Sequence, residues 1–471
     1  MVSNSHAVRM AGLANSLAPL DDPALFVTGD SLDPRHYTDW NGFAGPRPLG
    51  VLRPRDTAQV AAALRATHAL AQPIAIQGGL TGLVQGALAS ADEVVLSMER
   101  MRTIEEIDEA NQSLTVQAGV TLQEAQEAAA ARGLLLPVDI GSKGSCQMGG
   151  IAATNAGGNR VLRHGMARQC ILGLEAVLAD GTVISHLGKA LKDNAGFDLK
   201  QLFIGSEGTL GVITRLVCAL QPMPLTRQTA LVSVSDFNQM VALLRHCRSR
   251  LGPRLSSFEA MWRDFFDTAL CVAGFAQAPI AHPGPLLVLV EAMGQEPATD
   301  DEHFLSVLGE FLEQTPGSDA VVAQSLHDAN RLWALREASG EAASAIRPYA
   351  SFDVSLPIAR MADWLASTHE ALAAMGLSQT QTYGHLGDGN LHLVVGYPTD
   401  RPEMKARIND LVHGSIGSLG GSISGEHGIG LSKRTYLHMS RSREEIALMR
   451  ALKHTMDPLG LLNRGRVLAH P

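Results

Sequence analysis

At 471 residues, 45% of them hydrophobic and 18% charged, the chain has the make-up of a globular protein large enough for two or three domains. A net charge of −9 and a pI near 6.0, with no basic block, argue against a nucleic-acid partner, because phosphate binding needs clustered Lys and Arg. Five scattered cysteines (Cys146, Cys170, Cys218, Cys247 and Cys271) contain no CxxC and support neither a disulfide framework nor a thiolate zinc site.

Residues 1–45 read as a helical segment and a Pro/Gly-rich connector. Their apolar run is too short and interrupted for a signal peptide, and no stretch approaches the roughly 18 apolar residues of a membrane span. A cytoplasmic enzyme is the expectation. Residues 46–223 then alternate strand and helix. VLRPRD ends a strand, TAQVAAALRATHALA is an amphipathic helix, and PIAIQGG is an apolar strand running into glycines. DEVVLSM and SLTVQAGV are further strands. TLQEAQEAAAARG carries Thr121 at the N-cap position, Glu124 three residues on, and Gly133 past the last turn. CILGLEAVLADGTVI reads as strand, Asp-Gly turn, strand. From 224 to 420 a new run of strands and helices predicts an α+β domain around an antiparallel sheet. Residues 421–471 hold a helix stopped at Asp457-Pro458 and an extended tail.

Three glycine-rich stretches lie in the first half. Gly78-Gly79-Leu80-Thr81-Gly82 follows a strand, where glycines let backbone N–H groups approach a diphosphate, but it fits neither GxxxxGK[ST] nor GxGxxG. Met148 to Gly158 is nearly all small residues; ordering it costs backbone entropy, which predicts a chain fixed against a bound ligand. Gly205-Ser206-Glu207-Gly208-Thr209-Leu210-Gly211 repeats the theme. Together they suggest a cofactor lying along the backbone.

In the second half GHLGDGNLH, Gly384 to His392, reads as a hairpin turning on Asp388-Gly389. That turn sets Gly387 opposite Asn390, Leu386 opposite Leu391, and His385 opposite His392. Directly opposed imidazoles, with Cβ atoms roughly 4.5–5.5 Å apart, can converge on one metal ion. Ser424-Gly425-Glu426-His427-Gly428-Ile429-Gly430 sets a carboxylate beside an imidazole in a glycine-flanked loop, so their side chains point apart and suit different tasks.

The glycine loops in this order resemble the FAD-binding domain of the vanillyl-alcohol-oxidase superfamily. The hairpin, SGEHGIG and the terminal DPLGLLNRGRV are similar to its flavin-linked D-2-hydroxyacid dehydrogenases, the D-2-hydroxyglutarate and D-lactate branch. The resemblance runs from about residue 45 to 470. It implies an α+β fold: a two-lobed FAD-binding domain, an antiparallel-sheet substrate (cap) domain with FAD between the two, and a C-terminal helical segment. By position, Gln77, Gly78, Gly79, Leu80, Thr81, Gly82 and Leu83 would hold the diphosphate. Pro137, Asp139, Gly141, Ser142, Gly149, Ile151, Ala152, Asn155, Ala156, Gly157 and Gly158 would line the cofactor, with Gly165, Glu207, Gly208, Ile213 and Asn463 completing the pocket. The first loop has no His or Cys and Cys146 is one position off the attachment point of certain relatives, which implies non-covalent FAD. Asn463-Arg464-Gly465-Arg466 keeps the motif's Asn and basic end but lacks its proline.

The resemblance further implies that His385, His392 and Glu426 bind a divalent metal, Zn²⁺ or Mn²⁺, leaving His427 as base. The metal would chelate the hydroxyl and carboxylate of the substrate, His427 would take the hydroxyl proton, and the Cα hydride would pass to flavin N5. Arg336 would grip the substrate carboxylate, with Asn390 and His427 beside it. Positions where relatives acting on 2-hydroxyglutarate carry a Thr and a Lys are Gly340 and Ser351 here; Arg347 could compensate. The expected activity is oxidation of a D-2-hydroxyacid, D-2-hydroxyglutarate first. D-lactate or glycolate oxidation, a flavin subunit of a larger complex and a glycine-looped metallohydrolase are the alternatives. The electron acceptor (quinone, electron-transfer flavoprotein or dye) and the oligomeric state, for which a homodimer is allowed, stay open.

Overall fold

The computed structural model describes residues 2–40 and 42–469; Asn41 of the expected connector lies outside them. The chain forms two compact units. One is built from the described residues up to 158, 165–223 and 426–469, the other from 159–164 and 224–425.

In the first unit the N-terminal helix Val2–Leu17 lays Leu13 and Leu17 against the helix Thr57–Ala69, in a core shared with Val60, Leu64, Ile74 and Leu96. Asp56 caps the second helix by accepting from the Gln59 N–H at 2.8 Å. A four-stranded sheet follows in the order Phe26–Val27, Val51–Leu52, Val94–Ser97, Ile74–Gln77, parallel except for its first pair. Burial on both sides suits its continuous Val/Ile/Leu runs. A five-stranded antiparallel sheet comprises Ile104–Asp108, Ser113–Gln117, Val212–Ala219, Ile171–Val177 and Val183–His186 in that order. The helix Leu122–Ala130 starts with the expected Thr121/Glu124 capping box and packs on this sheet through Leu122, Ala125 and Ala129.

Two expectations change here. Residues 148–154 of the small-residue stretch form a short helix, Met148–Thr154, closed by left-handed Asn155; Ile151 and Ala152 face the hydrophobic core, so packing contributes to its order. The tail after the helix Arg443–Met456 is not extended. Leu462 bridges to Ile74, after which Asn463, Gly465 and Val467 all adopt positive φ, a run of turns rather than a strand.

The second unit is an α+β domain, as its alternating pattern predicts. Its seven-stranded sheet is antiparallel throughout, in the order Asp319–Val322, Thr226–Val234, Leu286–Gly294, Leu255–Trp262, Thr380–His385, Asn390–Gly396, Tyr349–Ser355. The helices Arg263–Val272 and Leu326–Glu337 cover one region of it through Phe265, Phe266, Trp333 and Leu335. This sheet is the rigid support on which the histidine hairpin sits. No helix among the described residues is long and apolar enough to cross a membrane.

Candidate active site

The first unit brings the glycine stretches together. Gly79 sits so close to residues 145–146 that a Cβ there would lie 1.9 Å from the Ser145 carbonyl oxygen. Gly149 packs on Ala118, and Gly158, at φ +120°, would place a Cβ 2.0 Å from the Asp139 carbonyl oxygen. At Gly79 and Gly158 glycine is required because backbone lies against backbone, and at Gly149 because the Ala118 methyl fills the space. Leu80 (φ +60°) continues the first loop through Thr81, Gly82 and half-exposed Leu83. Gln77 itself is buried, its amide donating to the carbonyls of His36 and Ala87 at 2.7 and 2.8 Å and its oxygen facing His36 Nδ1 at 2.8 Å. It therefore shapes the loop through protein contacts.

Pro137, Asp139, Gly141 and Ser142 lie on the segment leading into a turn in which the Ser142 carbonyl accepts from the N–H groups of Ser145 and Cys146. Ala156 donates back to Ile151 and accepts from Ala167, while Asn155 Oδ1 accepts from the Arg168 N–H at 2.9 Å. Gly157 and left-handed Gly165 stand on either side of residues 159–164. Ile213 is a buried strand residue opposite Ala176. Asn463 accepts from the Ile76 N–H at 2.7 Å and donates to the Glu207 carbonyl at 2.6 Å, tying the end of one strand to the third glycine loop. Burial pushes the Cys146 thiol up, which leaves it a poor nucleophile.

The hairpin differs in register from the expectation. Its strands Thr380–His385 and Asn390–Gly396 pair Tyr383, not His385, with His392. A 3₁₀ turn at Leu386–Asp388 and left-handed Gly389 close it, in place of a two-residue turn. The shift is two residues, an even number, so both histidines stay on one face of the sheet. Their ring centroids are 5.6 Å apart and both are buried. His392 stacks on Tyr383 at 5.0 Å.

His385 Nδ1 lies 2.8 Å from Glu259 Oε1, and Arg336 Nη2 lies 3.2 Å from His385 Nε2. A guanidinium can only donate, so Nε2 accepts, and Nδ1 carries the proton it gives to Glu259. Arg336 Nε also donates to Glu259 Oε2 at 2.8 Å. Burial would raise the Glu259 carboxyl, but the neighbouring His385 and Arg336 side chains, which both hydrogen-bond to it, outweigh that and hold the group below its usual range. Arg336 belongs to the helix Leu326–Glu337 and is buried, not a surface ion pair.

Asn390 donates to Asp353 Oδ1 at 2.8 Å and to the Val354 carbonyl at 3.2 Å, while its buried Oδ1 has no hydrogen-bond partner. Residues 422–425 are held by Ser422–Ser355 and Gly425–Asp353 backbone bonds, with Ser424 Oγ on Asp353 Oδ2 at 3.2 Å. Glu426 is the next residue along the chain. Within the second unit, His385 and His392 thus present two buried imidazoles side by side on one face of the sheet. Glu426 Oε1 accepts from the Gly158 N–H at 3.1 Å. His427 follows it in a loop that continues to Gly430.

Sequence reasoning missed Glu259 and Asp353. A buried Glu in SSFEAM at an inward strand position was the available signal, since acids are almost never fully buried unless partnered. Asp353 faces His392 in the strand pairing, which the sequence could not show without the register.

Residues 48–186 match the family model described as FAD binding domain, and residues 223–467 the one described as FAD linked oxidases, C-terminal domain. The chain is 39% identical to the mitochondrial D-2-hydroxyglutarate dehydrogenase of Bos taurus, over 93% of this chain and 80% of that one. It is 38% identical to the D-2-hydroxyglutarate dehydrogenase of Xanthomonas citri pv. viticola, over 94% of each. A solved 4-ethylphenol oxidase from Gulosibacter chungangensis shares the fold, with TM-score 0.75 at 16% identity over 99% of this chain and 98% of that one.

Proposed function

This chain belongs to the family of FAD-linked oxidases, and we propose that it is a metal-dependent enzyme oxidising D-2-hydroxyglutarate to 2-oxoglutarate. It is an FAD-dependent dehydrogenase, and the finer assignments are argued from its own residues. The observation that carries the reading is the pair of buried imidazoles, His385 and His392, on one sheet face with ring centroids 5.6 Å apart, to which the resemblance adds the carboxylate of Glu426. That donor set suits Zn²⁺ or Mn²⁺ with positions left for substrate. The close-packed glycines at 79, 149 and 158 suit a flavin diphosphate held by backbone, and a buried, weakly acidic Cys146 suits non-covalent binding.

A divalent ion held there supplies Lewis acidity that lowers the hydroxyl pKa of the substrate, and a bound flavin supplies the two-electron acceptor. Glu259 keeps His385 in the tautomer whose Nε2 has a lone pair to give. That lone pair, which Arg336 Nη2 faces at 3.2 Å, is the one His385 would offer an ion, and the guanidinium of Arg336 would hold the substrate carboxylate. Asn390 Oδ1 offers an acceptor for a substrate donor. His427 takes the hydroxyl proton as general base. A monocarboxylate such as D-lactate is the second reading, favoured by one observation. The two positions expected to grip a distal carboxylate are Gly340 and exposed Ser351, neither of them charged.

Anaerobic flavin bleaching against a panel of D-2-hydroxyacids, with and without exhaustive chelation, tests this. D-2-hydroxyglutarate should bleach the flavin fastest, chelation should stop it, Zn²⁺ or Mn²⁺ should restore it, and His427→Ala should retain flavin yet bleach about 10²–10⁴-fold more slowly. Bleaching indifferent to chelation, or a fast His427→Ala enzyme at neutral pH, would overturn the assignment.

A further inference from the structure

We infer that Glu207 is a positioning residue that clamps the loop carrying His427, an inference that rests on the reading of His427 as base. Glu207 sits in the third glycine loop at φ +52°, a left-handed conformation that costs a non-glycine residue on the order of 1 kcal/mol and that its neighbours Gly205 and Gly208 adopt freely. The geometry shows what the side chain does there. Oε1 accepts from the Ile429 N–H at 2.7 Å and Oε2 from the Gly430 N–H at 2.8 Å. Both carboxylate oxygens are thus engaged by consecutive backbone groups just past Glu426-His427. Gly428 is part of the same fit: at φ +82° it lies so near that a Cβ would stand 2.8 Å from Glu207 Oε1.

The clamp is itself held. The Glu207 N–H donates to the Ala153 carbonyl at 2.8 Å, and its carbonyl accepts from Asn463 Nδ2 at 2.6 Å. Asn463 (φ +44°) in turn accepts from Ile76, the strand residue just before Gln77 and the first glycine loop. Beyond the clamp, the N–H groups of Leu431 and Ser432 both donate to the Val84 carbonyl. The loop that carries the proposed base is therefore fixed by the same loops that would cradle a flavin. The resemblance places Glu207 among flavin contacts, but its carboxylate serves the His427 loop. Misplacing a reacting group by about 1 Å can cost 10²-fold in rate, which sets the scale of the expected effect.

Glu207→Gln keeps one acceptor and turns an NH₂ toward the other loop N–H, while Glu207→Ala removes both bonds. The holoenzymes should keep wild-type flavin absorbance and a KM within about threefold, with kcat lowered roughly tenfold in the Gln variant and about 10²-fold in the Ala variant. In hydrogen exchange, the amides of Ile429 and Gly430 should be protected in the wild type, both exposed in the Ala variant and one of them exposed in the Gln variant, without change elsewhere. Unprotected amides in the wild-type protein overturn the clamp whatever the variants do, including when they fail to fold. Unchanged kcat, or loss explained wholly by lost flavin, overturns the positioning role. Should the wild-type enzyme bleach with no D-2-hydroxyacid, the reading of His427 fails and the exchange measurement still decides the clamp.

Discussion

His164 closes the four-residue helix Val161–His164 beside Arg160 and Arg163. Burial first, and then the charges of Arg163 and Arg160, push its imidazole from 6.5 down to about 4. Between those values the unfolded chain binds a proton that the folded one refuses, so stability is unaffected above pH 6.5 and falls as pH drops toward 4. His164→Asn should flatten that part of the curve. Thermal unfolding from pH 7 to 4.5 checks it, and equal slopes in variant and wild type would refute the attribution. At the same scale, the neutral tautomer of His385 follows from one donor-only neighbour and one acceptor-only neighbour.

At the scale of elements, the hairpin and the glycine loops differ in how far their residues determine them. The hairpin's strands and left-handed Gly389 follow from alternation and turn chemistry, whereas its register is set by the neighbouring strand, which pairs Glu259 with His385 and Ala260 with Gly384. The first glycine loop is held by contact with the segment at 145–150. Gly79→Ala would drive a methyl to 1.9 Å from the Ser145 carbonyl oxygen, forcing the loops apart. We expect that variant to fold but to purify with little flavin, read as the ratio of visible to protein absorbance; full flavin content would show that the loop pair does not form the cradle.

Over the whole chain, the tail is joined to residues some 370 positions earlier. Arg466 is buried and donates to both oxygens of equally buried Glu93, at 2.7 and 2.9 Å, and to the carbonyl of Gly86 at 2.9 Å. Removing one partner of such a pair strands a buried charge, so Arg466→Met should cost about 3–5 kcal/mol, while adding Glu93→Leu should recover much of it. Denaturant unfolding of the single and double variants measures this; a double variant no better than the single would show that the carbonyl contacts carry the tail instead.

The amino-acid sequence by itself determined the kinds of element, the glycine positions and the residue types of the site. Period-two alternation, capping boxes and positive-φ glycines are local properties, and a His/His/Glu/His set is recognisable by composition and order. Tertiary structure alone decided which strand lies beside which. It set the register that puts Tyr383 opposite His392, the partnership of Glu259 with His385 and Arg336, and the carboxylate of Glu207 against the loop after His427. Apart from the hairpin register, which the adjoining strands set, these are contacts between segments tens to hundreds of residues apart. They depend on packing and on satisfying buried charge, which no local pattern encodes.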